Sequence, residues 1–149
     1  LREDVGEWFE HESDSPYMLL VAKVNEDKRR PVTEEEEALF GLEKLNVPRS
    51  LVPAVTHVDY SARIQTVHAD TNPRFHAIIS KFKKLTGFPL VVNTSFNVRG
   101  EPIICTPTDA FKCFMGTEID VLAVGNYLLF KENQDKNLEK NYEGRYELD

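Results

Sequence analysis

Apolar positions recur at helical spacing in one long stretch: Phe75, Ile78, Ile79, Phe82 and Leu85 fall on a single face. Asn72 stands where an N-cap belongs, Pro73 suits the first turn, and Gly87 with Pro89 ends the pattern. A second helix is predicted after Thr106-Pro107-Thr108-Asp109, a cap with an acid three residues on, running to Met115 and stopping at Gly116. Residues 2–10 read as a short helix carrying Val5, Trp8 and Phe9, and Thr33 caps a helix expected over Glu34 to Leu45. Between these lie short apolar runs that read as strands: Tyr17–Val24, Pro53–Val58, Ala62–Val67, Phe88–Asn93 and Pro102–Cys105. Val121–Val124 and Tyr127–Phe130 flank Gly125-Asn126, the signature of a two-residue hairpin. Helices and strands alternate irregularly, so the order predicts an α/β or α+β domain around a mixed sheet.

Charge changes this picture more than composition does. The 149 residues carry a net charge of −7. Residues 1–50 hold 7 basic and 13 acidic side chains, and residues 132–149 hold 3 and 6. Residues 51–131 hold 8 basic and 6 acidic ones, so the acidity sits in the flanks. The run Glu34-Glu35-Glu36-Glu37 reads as a solvated helix start within a polar insert at about 25–50, and Lys28-Arg29-Arg30 beside it as salt-bridging surface. A mildly basic centre suits one small anion better than a nucleic-acid backbone, which calls for a dense basic stripe. Cys105 and Cys113 have no histidine at metal-ligand spacing and read as free thiols of a reducing cytoplasm. No apolar run approaches the length of a membrane span. The opening residues Leu1-Arg2-Glu3-Asp4 read as the middle of a fold, so an excised piece of a longer protein is expected.

Two segments carry more chemistry than structure requires. Asn93-Thr94-Ser95-Phe96-Asn97-Val98-Arg99-Gly100-Glu101-Pro102 places four short hydrogen-bonding side chains and a guanidinium where an apolar run ends. Arg99 offers a planar fork that suits phosphate or carboxylate, and Gly100 allows close backbone approach. No nucleophile–base pair is evident, so such a site works by positioning and by stabilising charge. The plainer alternative is a polar turn whose asparagines cap backbone groups. The second segment is His57-Val58-Asp59-Tyr60-Ser61-Ala62-Arg63-Ile64-Gln65. Alternation puts Arg63 and Gln65 on one strand face, and His57 and Asp59 together before the turn. A buried Arg63 requires an anionic partner, either Asp59 or a bound phosphate. His57 and Asp59 alone do not complete a metal site. No glycine-rich nucleotide loop is present.

These two segments, with Ser15-Pro16-Tyr17-Met18, closely resemble signatures of the carbamoyltransferase C-terminal domain, the family of nodulation-protein and antibiotic-tailoring O-carbamoyltransferases. The resemblance runs from about Leu1 to Lys131 and leaves a polar tail over 132–149. It implies a YrdC/Sua5-like fold, a twisted mixed β-sheet flanked by helices. It also implies that ATP and carbamoyl phosphate, with Mg²⁺ accompanying ATP, are joined to a carbamoyl-adenylate. A separate, metal-bearing Kae1-like N-terminal domain of the same polypeptide then passes the carbamoyl group to an acceptor hydroxyl. Carried onto this chain, Arg63 and Arg99 become the catalytic candidates, neutralising charge on the phosphates. Asn93, Thr94, Ser95 and Asn97 become binding candidates, and His57, Asp59, Ser61 and Gln65 shape the same cleft. No metal site is expected in this chain, and no membrane or nucleic-acid partner. Tyr60 stands where many relatives have glycine. The other reading is a non-catalytic nucleotide-binding or docking module of a larger protein.

Overall fold

The computed structural model describes residues 1–138, which part into two compact units at Val92/Asn93. The chain is α+β, as its pattern predicts.

The first unit is built on a two-stranded antiparallel ladder. Strand β1 (Leu20–Lys23) pairs with β2 (Ser61–Ile64) in the register Leu20↔Ile64, Val21↔Arg63, Ala22↔Ala62 and Lys23↔Ser61. Alternation buries Ala22, Ala62 and Ile64 on one face and leaves Val21 and Arg63 exposed on the other. Helix α1 (Val5–Trp8) follows a 3-10 turn at Arg2–Asp4 and buries Val5 and Trp8. Val5, Ala22 and Ile64 form the core here, with Phe9 packed against them, and the Trp8 and Phe88 rings meet at 5.4 Å.

The expected helix over 34–45 forms as two pieces, α2 (Glu34–Glu37) and α3 (Gly41–Leu45). Thr33 and Glu36 make a reciprocal capping box at the start of α2. The break has a backbone cause: Phe40 is extended and Gly41 takes φ +61°, which no continuing helix allows. Helix α4 (Pro73–Thr86) matches its prediction from cap to stop. Asn72 accepts the Phe75 N–H, and Gly87 at φ +84° donates to the Lys83 carbonyl. Of its apolar stripe only Ile79 is fully buried; Ile78 and Leu85 are 63% and 73% exposed.

Three expected strands are absent. Pro53–Val55 is a 3-10 turn, because Ser50 and Thr56 hydroxyls capture the Val52 N–H and C=O and Pro53 has no N–H to give a ladder. Residues 88–93 run without a strand partner; Pro89 interrupts their donors, and its carbonyl accepts from the Leu1 amino group at 2.8 Å. In place of a strand over 102–105, the Ile104 N–H donates to the Phe96 carbonyl. The strand expected from Tyr17 begins only at Leu20, since Met18 sits at φ +54°.

In the second unit, Thr106 caps α5 (Pro107–Met115) by accepting the Asp109 N–H. Strands β3 (Val121–Val124) and β4 (Tyr127–Phe130) form the predicted hairpin around Gly125, φ +59°. Ala110, Phe114, Met115 and Leu122 make the core, with Phe96, Ile104 and Leu129 packed against it. Burying Phe114 alone contributes roughly 1.5–3 kcal/mol. The Lys131 ammonium donates to the Phe114 carbonyl, which α5 leaves open in its last turn, and to the Thr117 carbonyl just beyond the helix. Among the described residues the strands thus form two separate antiparallel pairs rather than one mixed sheet. The polar tail makes 3-10 turns at Lys131–Asn133 and Lys136–Leu138, and its positions from 139 onward lie outside the described residues. No helix among the described residues is long and apolar enough to cross a membrane.

Candidate functional site

The 57–65 segment enters β2 through a tight turn. The Tyr60 N–H donates to the His57 carbonyl at 3.0 Å and the His57 N–H to the Ser61 carbonyl at 2.7 Å. These two bonds close a tight turn over 57–61, whose position 60 calls for a left-handed backbone. Tyr60 fills it at φ +65°. A tyrosine there costs about 1–2 kcal/mol against glycine. The Arg29 guanidinium lies 5.4 Å from the Tyr60 ring centre, and the Tyr60 carbonyl accepts from Val24 N–H. Both contacts offset that cost.

Inside the turn three candidate side chains are joined in series. Ser61 Oγ donates to Asp59 Oδ1 at 2.6 Å, Ser61 N–H donates to the same oxygen at 3.0 Å, and His57 Nδ1 lies 2.9 Å from Ser61 Oγ. These bonds from Ser61, with a smaller contribution from the Lys23 charge, hold the Asp59 carboxyl below its ordinary range. The Lys23 ammonium donates to the Asp59 backbone carbonyl at 2.8 Å. His57 and Asp59 are exposed, whereas Ser61 is buried.

Arg63 and Gln65 share an exposed face, as alternation predicts. Arg63 is not buried, so it needs neither of the anionic partners that burial would require: it is exposed, and its Nη2 donates to the Met18 carbonyl at 3.1 Å. Gln65 Nε2 donates to the Pro16 carbonyl at 2.8 Å. Ser15 completes the stitching, with its hydroxyl on the Ile64 carbonyl and its N–H on Thr66 Oγ1. So the Ser15–Met18 segment hangs on the same strand that carries the candidate residues. Sequence reasoning missed this strap and missed Lys23. The only signal was Pro16 and the run Ser15-Pro16-Tyr17-Met18 itself, since no local spacing links residues 49 positions apart in the chain.

The 93–102 segment is organised differently, closing mainly on itself. The Glu101 N–H donates to the Val98 carbonyl at 3.0 Å across Arg99-Gly100, and Gly100 takes φ +80°. That φ is what the third position of a type II turn demands, and it makes Gly100 a requirement of geometry. Asn97 Nδ2 bridges the Val98 and Glu101 carbonyls at 3.1 and 2.8 Å, and the Glu101 carboxylate accepts the Val98 N–H. Glu101 also bonds the Cys113 thiol of α5; burial first, then the Glu101 charge, pushes that thiol up to about 11. Asn97 thus does the capping that the plainer reading of this loop assigned to its asparagines. Thr94, Ser95 and Arg99, all exposed, make no hydrogen bond among the described residues. Asn93 is exposed and engaged, and Asn97 Oδ1 is buried without a partner among those residues.

With the two segments placed, comparison with known proteins defines the class. The family model described as Carbamoyltransferase C-terminus matches residues 1–131. The chain belongs to that family. It is 55% identical over 150 residues to an uncharacterized protein of Synechocystis sp., spanning all of this chain and 24% of the relative. It is 38% identical over 134 residues to the nodulation protein NolNO of Sinorhizobium fredii, covering 88% of the chain and 17% of that protein. Against the 3'-hydroxymethylcephem-O-carbamoyltransferase of Streptomyces clavuligerus it is 32% identical over 124 residues, 83% of the chain and 20% of the enzyme. The chain therefore spans between about a sixth and a quarter of the length of these relatives.

Proposed function

We propose that this chain is the part of a cytoplasmic carbamoyltransferase that binds ATP and carbamoyl phosphate and forms a carbamoyl-adenylate. A Kae1-like N-terminal domain of the same polypeptide then transfers the carbamoyl group to an acceptor hydroxyl. Family membership supports the reaction class, as does the carbamoyl transfer named for the Streptomyces relative. The observation that carries the reading is the exposed set Thr94, Ser95 and Arg99, whose donors are unspent among the described residues and are carried on a loop fixed by its own bonds. Donors held ready at no cost of reorganisation are what phosphoryl chemistry uses.

Water releases phosphate from carbamoyl phosphate to leave carbamate. A carbamate oxygen then attacks the α-phosphorus of ATP and pyrophosphate departs. Arg99 neutralises phosphate charge, Thr94 and Ser95 donate to phosphate oxygens, and Asn93 and Asn97 fix the loop and the ligand. Arg63 keeps donors beyond the one given to the Met18 carbonyl, and Gln65 shares its strand face. Mg²⁺ accompanies the ATP phosphates, as this hard cation does in nucleotide sites.

The test is pyrophosphate release by the full-length protein given ATP, carbamoyl phosphate and Mg²⁺. Release that depends on carbamoyl phosphate is expected. ATP binding by calorimetry without turnover would instead identify a nucleotide-binding module. Full activity in an Arg63→Ala, Arg99→Ala double variant would remove these residues from the site.

A further inference from the structure

Glu101 stands two positions from Arg99, across Gly100, and is the acidic residue nearest to it along the loop. A carboxylate so placed is the natural partner of a guanidinium, and that pairing would spend the fork Arg99 offers an anion. Yet among the described residues Arg99 makes no ion pair and no hydrogen bond. The Glu101 carboxylate is engaged elsewhere: its Oε2 accepts the Val98 N–H at 3.1 Å, and the Cys113 thiol of α5 bonds to it. Its backbone is tied as well, by the Glu101 N–H on the Val98 carbonyl at 3.0 Å and by Asn97 Nδ2 on the Glu101 carbonyl at 2.8 Å. Cys113 is 1% exposed and next in the chain to the core residue Phe114, so its sulfur is a fixed point. Burial keeps its proton in place, so the thiol is a standing donor and the carboxylate its acceptor.

We infer that the Cys113 thiol and the Val98 N–H hold the Glu101 carboxylate off Arg99, so that the guanidinium stays open to the phosphates of its ligand. This role rests on the proposed binding of ATP and adds a requirement to it. A phosphate loop needs its arginine well placed and also unclaimed by its own chain. Without the anchor, Glu101 competes with the ligand, one anion contending with another for the same fork. Cys113 and Glu101 are positioning residues that act through Arg99. The whole arrangement lies within the second unit, on the 93–102 loop and helix α5.

Calorimetry of ATP binding to the full-length protein, with Mg²⁺, tests this. Cys113→Ala should weaken ATP binding roughly 2- to 10-fold, the worth of one hydrogen bond. Cys113→Ser, which keeps a donor, should weaken it less. In a Glu101→Gln background no carboxylate remains to capture Arg99, and there Cys113→Ala should change nothing further. Wild-type affinity in Cys113→Ala overturns the inference. An equal loss in both backgrounds also overturns it, because the damage would then be to α5 and not a capture of Arg99. The anchor itself is read without ligand. The infrared S–H band of Cys113, isolated by difference against Cys113→Ala, should shift when Glu101 is replaced by Ala, and an unmoved band overturns the anchor. Failure of the wild type to bind ATP overturns the proposed function together with this use of Arg99, and the ligand-free band separates that failure from a wrong anchor.

Discussion

The two signature segments solve one problem, holding polar side chains at a surface, in opposite ways. In the 57–65 segment the candidate side chains are themselves the fastenings: Arg63 and Gln65 hold the carbonyls of Met18 and Pro16, and Ser61 joins Asp59 to His57. In the 93–102 segment the fastening falls to Asn97, Gly100 and Glu101, and Thr94, Ser95 and Arg99 are spared. The lesson is that a motif's stability and its chemistry are separable only where different residues carry them. Replacing Arg99 should therefore report on function alone, and replacing Arg63 on function and folding together.

The largest expected effect tests this directly. Arg99→Ala should lower pyrophosphate release about 100-fold or more while leaving urea stability within about 0.5 kcal/mol of wild type. Arg63→Ala should lose activity and also about 1 kcal/mol of stability, as the Met18 carbonyl loses its donor. Equal stability losses in both would break the comparison. Next in size, Gly100→Val should destabilise by roughly 2 kcal/mol, because a β-branched residue at φ +80° is strained whatever surrounds it. A neutral outcome in urea titration would mean the loop is not held by that turn.

A pH titration sharpens the same point through Cys113. Its thiol is raised from 9.0 to about 11, so the folded state keeps a proton that the unfolded chain releases first. Stability is unaffected below pH 9 and falls between pH 9 and 11, where the unfolded state binds fewer protons. Cys113→Ala should flatten that decline in denaturation curves, and an unchanged slope would assign it to other groups. The smallest effect is expected at Tyr60→Gly. Relief at φ +65° and loss of the Arg29 contact oppose one another, leaving thermal stability within about 1 kcal/mol.

Legibility in the sequence followed the range of the interactions. Helix α4, helix α5 and the β3–β4 hairpin were readable because their caps, stops and turn residues lie within a few positions of one another. The strands expected over 53–58 and 88–93 had apolar runs equally good but, among the described residues, no neighbouring strand to pair with, and a ladder needs one. The helix over 34–45 failed at Gly41, whose positive φ a count of polar and apolar positions does not register. In the candidate site, the shared face of Arg63 and Gln65 followed from alternation, and the richness of 93–102 in donors was evident. That Arg63 meets a carbonyl rather than Asp59 depends on where Met18 returns, 45 residues away in the chain.

Lys131 sets a practical lower limit on the chain. Its ammonium is bonded to the Phe114 carbonyl in the last turn of α5 and to the Thr117 carbonyl just beyond it, with the Phe114 ring centre 4.4 Å away. A truncation one residue short of it would keep both hairpin strands yet leave the Phe114 and Thr117 carbonyls, in and just after the last turn of α5, without this donor. Trimming back to the end of β4 would therefore remove an ammonium ion on which the second unit's helix end depends.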